Sequence, residues 1–134
     1  MRPRAAVVLG TLAVPAVVCV APLSLLAHQG TLFNIAVIPP VCAAFAVVGT
    51  VIARSQPRNA VGWLLLAFGL LTSLSSDAGF YSVLRYRLGH ESLPLGPVAA
   101  FLAPNWVPLI VLLPLPIALF PDGRMTSRFW RATL

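Results

Sequence analysis

Apolar residues fill this chain in four long blocks, about 5–27, 32–53, 61–81 and 97–120, separated by short polar stretches. Each block holds about the twenty residues that a helix needs to cross the hydrocarbon of a bilayer. Backbone N–H and C=O groups find no water partner there, so a crossing segment must be a helix or part of a closed barrel. The pattern predicts an all-α, polytopic membrane protein, with four transmembrane helices in an antiparallel bundle. A single transmembrane domain spans 1–134, and 121–134 form a tail.

Punctuation inside the blocks refines this picture. The turn His28-Gln29-Gly30-Thr31 is short enough to force the first two helices into a hairpin. Pro57 ends the second helix, and Asn59 is placed to cap the third by accepting from a free backbone N–H. Trp63 falls within the first turn, at the depth where indole rings favour the headgroup layer. Prolines 104, 108, 114 and 116 predict a broken or strongly kinked fourth span. Small residues gather in the second helix as the pairs Ala46/Thr50 and Gly49/Ala53, and Gly62 and Gly69 mark one smooth face of the third. Such faces let helix backbones approach closely, and a homodimer is one use for them.

Composition agrees with the blocks. Hydrophobic residues make up 59% of the chain and charged residues only 9%, with a mean hydropathy of +0.93. A soluble domain carries about 25% charged residues. The net charge of +6 calls for no nucleic-acid partner, because the charges sit between the apolar blocks. Their placement sets an orientation by the positive-inside rule. Arg2, Arg4, Arg54, Arg58, Arg124, Arg128 and Arg131 share one side, while Arg85 and Arg87 lie on the other, offset by Asp77 and Glu91. Both chain ends are therefore expected in the cytoplasm, with the protein in the cell membrane. The first apolar run is longer than a cleaved signal peptide's, so it reads as an uncleaved helix.

Chemistry is sparse. The two cysteines, Cys19 and Cys42, lie inside spans and read as small apolar fillers. No Cys-x-x-Cys or His-Glu-x-x-His spacing occurs, and the glycines form no phosphate-binding loop. No catalytic residue, metal site or cofactor is expected, and the chain does not read as an enzyme. A carboxylate in a span is costly and often functional. Asp77, near the end of the third block, is expected to reach water or headgroups, or to pair with Arg85. Arg85, Arg87, His90 and Glu91 share the loop 81–96, the place where an outside signal would be met.

Two junctions carry a resemblance. One is Arg54-Ser55-Gln56-Pro57-Arg58-Asn59-Ala60-Val61-Gly62-Trp63, which opens the third block. The other is Phe120-Pro121-Asp122-Gly123-Arg124, followed by Ser127-Arg128-Phe129-Trp130-Arg131. In this order and at this separation they resemble the N-terminal membrane region of actinobacterial sensor histidine kinases. The motif positions are Pro57, Asn59, Gly62 and Trp63, then Pro121, Asp122, Gly123 and Arg124. Membrane proteins without a kinase share the same module. The dimerisation-phosphoacceptor helix and ATP-binding domain of such kinases have no counterpart in this sequence, and neither His28 nor His90 has a phosphoacceptor setting. The resemblance thus implies a sensory or anchoring input module of a two-component system, incomplete in this chain, with a cytoplasmic signalling partner. A stand-alone membrane scaffold is the alternative, and a small transporter or channel is less favoured because the spans hold almost no ionisable residue.

Overall fold

Local chemistry starts and stops each helix. In the computed structural model, which describes residues 3–104 and 106–119, the first block forms helix α1, Pro3–Leu26. His28 ends it with a left-handed backbone (φ 56°). There the Gln29 N–H reaches back to the Ser24 carbonyl at 2.8 Å and the His28 N–H to Leu25 at 3.0 Å, which satisfies the last carbonyls. A π-helical turn, Phe33–Val37, runs directly into α2, Ile38–Ser55. The wide turn stands just ahead of Pro39 and Pro40, whose rings crowd the preceding carbonyls in ordinary α geometry.

Helix α3, Ala60–Tyr86, begins at Asn59, whose side chain accepts from the Val61 N–H at 3.0 Å. It runs well beyond the apolar block and takes in Tyr81 to Tyr86, so Arg85 belongs to its last turn and not to a loop. The fourth block is three short helices, α4 (Gly96–Leu102), α5 (Trp106–Leu112) and α6 (Pro114–Leu119). Pro104 lies in the first break and Pro114 opens α6. Four segments, Arg4–Leu26, Phe33–Ser55, Ala60–Tyr86 and Gly96–Ile117, are long and apolar enough to cross a membrane. The described residues are helical without any strand, and the chain is a multi-pass membrane protein. The expected turn at Pro121, Asp122, Gly123 and Arg124, the tail after it, and Asn105 lie outside the described residues.

Packing among the first three helices rests on small residues. Helix α1 buries Ala6, Ala13, Ala16, Val20 and Ser24 along one stripe. Helix α2 buries Cys42, Ala46, Gly49 and Ala53, each one turn after the last. Helix α3 answers with Gly62, Leu66, Gly69 and Ser73. Spacings of three and four residues keep one face turned to a neighbour. The approach is so close that a Cβ on Gly62 would lie 2.6 Å from the Ala53 amide nitrogen, and one on Gly69 would lie 2.7 Å from the Cys42 carbonyl oxygen. On Gly49 it would overlap the Leu66 backbone, and on Gly10 it would lie 2.5 Å from the Thr50 hydroxyl. The smooth faces legible in the sequence are thus filled by helices of the same chain. Phe45 and Phe68 add an edge-to-face contact with ring centroids 4.7 Å apart.

Candidate functional site

Beyond Gly69 the lining of α3 changes from glycine to hydroxyl and acid. Thr72, Ser73, Ser75 and Ser76 are buried, and Asp77 is half-buried. The hydroxyls are partly occupied by their own helix: Ser73 donates to the Gly69 carbonyl at 2.9 Å, Ser76 to Thr72 at 2.9 Å and Ser82 to Ala78 at 2.7 Å. Each bond uses the hydroxyl hydrogen and leaves oxygen lone pairs free to accept. Thr72 Oγ1 and Asp77 Oδ1 are buried with no hydrogen-bond partner.

A cavity of about 510 Å³ opens at this end of the helices. Ser75, Ser76, Ser82, Tyr86 and Arg87 line it from α3 and its C-terminus, while Gln29 and Asn34 line it from the opposite hairpin. Ala103, between α4 and α5, closes a further side. The Asn34 amide nitrogen donates to the Gln29 carbonyl at 2.8 Å, so its side-chain oxygen remains available. The walls therefore offer several acceptors and one fixed positive charge, Arg87. Chemically, this suits a small polar molecule or ordered water. Among the described residues, no three His, Cys, Asp or Glu side chains come together as a metal site.

The charged residues singled out in the sequence part company here. Only Arg87 borders the cavity. Asp77 is half-buried outside the cavity lining, with its Oδ1 unpartnered. It does not pair with Arg85, whose guanidinium lies 5.5 Å from the Tyr86 ring centroid and packs against Gly96 of α4. His90 and Glu91 are exposed in the loop before α4, where the His90 Nδ1 sits 3.2 Å from the Leu84 carbonyl oxygen. That loop is tied down by the Tyr81 hydroxyl, which donates to the Pro94 carbonyl. The cavity walls at Gln29, Asn34 and Ser82 carry no charge, so charge-based reading of the sequence passes over them. Their one sequence signal is polarity within or beside an apolar block.

At the other end of α3 the motif positions form a closed local structure. The Trp63 indole N–H donates to the Pro57 carbonyl at 3.0 Å, Asn59 caps the helix, and Gly62 admits the α2 backbone. The Asn59 amide also reaches the Gln56 side-chain oxygen at 3.1 Å. The spacing Pro-x-Asn-x-x-Gly-Trp is thus a device for turning the chain between two tightly packed helices. No family model, no curated protein and no solved structure matches the chain.

Proposed function

We propose that the chain is a membrane input module of the sensory or anchoring type, like the region that precedes the kinase domains in two-component sensors. Its four spans form an antiparallel bundle in the cell membrane, and the prolines of the fourth span kink it. Both chain ends face the cytoplasm, an orientation that the arginine distribution supports. The cavity bordered by Arg87 then opens on the outer face, and the Pro57–Trp63 junction faces inward.

One observation carries this reading: a single helix, α3, has a polar cavity at one end and a rigidly capped junction at the other. The half between them packs backbone against backbone through glycine. Occupancy at the cavity biases how α3 sits against α2, and the glycine contacts carry that shift to the junction. A cytoplasmic partner reads it there.

A chimera tests the reading. The full chain is joined ahead of the dimerisation and ATP-binding regions of a sensor kinase, and autophosphorylation is followed in membranes. Arg87→Gln and Ser76→Val change the rate severalfold, whereas an equivalent exposed change, Val14→Ile, does not. If neither cavity variant alters the kinase, the module only anchors, and the scaffold reading replaces the sensory one.

A further inference from the structure

We infer that a groove between α1 and α2 holds one acyl chain of an anionic phospholipid, with its phosphate on Arg54. The groove has a volume of about 450 Å³ and is lined by α1 and α2. Gly10, Ala13 and Ala46 form its floor, and Val14 and Val47 stand at its edges. Small residues below and branched ones beside shape a trench between the two helices.

Its length fits the occupant. The α1 wall extends from Val7 to Val18, about 17 Å at 1.5 Å per residue. One leaflet of hydrocarbon is about 15 Å deep, half of the bilayer core. Polar atoms in the groove are already used: the Thr50 hydroxyl donates to the Ala46 carbonyl at 2.6 Å, and the Thr11 hydroxyl to Val8 at 2.8 Å. The trench therefore asks nothing polar of its occupant along most of its length.

Charge fixes the headgroup. Arg54 lines the groove at one end and is exposed. Arg4, one turn before Val7, and Arg58, in the following loop, are exposed as well. The two acidic side chains among the described residues, Asp77 and Glu91, are remote from these arginines in the fold, on α3's other half and in the loop beyond it. Arginine forks suit a phosphate, and each basic side chain near an anionic lipid surface favours binding.

Native mass spectrometry of the full chain from mixed micelles tests the assignment. With equal phosphatidylglycerol and phosphatidylcholine, the protein retains phosphatidylglycerol preferentially. Arg54→Gln, an exposed change that leaves the fold intact by circular dichroism, lowers that retention on the order of fivefold. A phosphatidylglycerol with hexanoyl chains binds about tenfold more weakly or worse, because most of the buried methylenes are missing. Ala43→Phe, which fills the trench, abolishes retention of both lipids. Inorganic phosphate at millimolar concentration leaves the bound lipid in place. Equal retention of the two lipids, no effect of Arg54→Gln, or displacement by free phosphate overturns the inference. Cross-linking of a second copy or of residues 120–134 to position 14 overturns it too, since either would occupy the groove instead.

Discussion

Residues 62–69 of α3 meet α2 through glycine, and residues 72–82 turn hydroxyls and an acid towards their neighbours. In the first stretch, backbones touch and nothing larger than hydrogen fits at Gly49 or Gly62. In the second, the helices leave room: a Cβ on Gly79 would meet nothing nearer than the Ala103 carbonyl oxygen at 3.9 Å. The same helix thus builds a joint and a cavity. Both stretches have regular α-helical backbone, so the difference lies in their side chains and in what faces them: regular α2 opposite the first, the hairpin with its π-helical turn and the α4–α5 break opposite the second. Without a hydrophobic drive between helices in lipid, close van der Waals packing holds the joint, while the cavity keeps polar atoms that need a partner.

Substitutions can break this contrast. The largest effect is expected for Gly49→Leu, which forces the α2 and α3 backbones apart and costs roughly 3 kcal/mol of stability. Thermal unfolding in bicelles measures it, and an unchanged midpoint would deny the close approach. Next is Asp77→Leu, which removes the half-buried carboxylate together with its unpartnered Oδ1. It should raise stability by about 1 kcal/mol or more. Asn59→Ala removes the helix cap and costs about 1 kcal/mol. Trp63→Phe loses the bond to the Pro57 carbonyl and costs about 0.5–1 kcal/mol. Smallest is Gly79→Ala, neutral or stabilising by about 0.5 kcal/mol, because the helix gains an alanine and the cavity has space for it. Gly79→Ala behaving like Gly49→Leu would erase the distinction between the two stretches.

Much of the frame was legible in the residue order. Block lengths located four spans, and Asn59 and Pro57 marked one helix boundary, because hydrophobic length and capping are local properties. Gly49 and Gly62 announced close packing for the same reason. Where that packing is used was not legible: the glycine faces meet inside the chain, and a dimer would have suited the same pattern. The end of α3 was also missed, since Tyr81, Ser82, Arg85 and Tyr86 look like loop by polarity yet continue the helix. The cavity depends on residues from three distant segments, Asn34, Ser82 and Ala103, and only tertiary packing assembles them. An ion pair with Arg85 was one of the partners open to Asp77 by sequence, but Arg85 packs against Gly96 and Tyr86 and the Asp77 Oδ1 stays unpartnered.

The central claim is that the polar cavity opens on the face opposite the Pro57–Trp63 junction. Single cysteines at Ser82 and Gln56, in a Cys19→Ala, Cys42→Ala background, test it with a membrane-impermeant thiol reagent. The account predicts that Ser82→Cys labels in intact cells and that Gln56→Cys labels only after lysis. Labelling of both from the same side, or a Ser82→Cys that resists the reagent even in lysed cells, would contradict it.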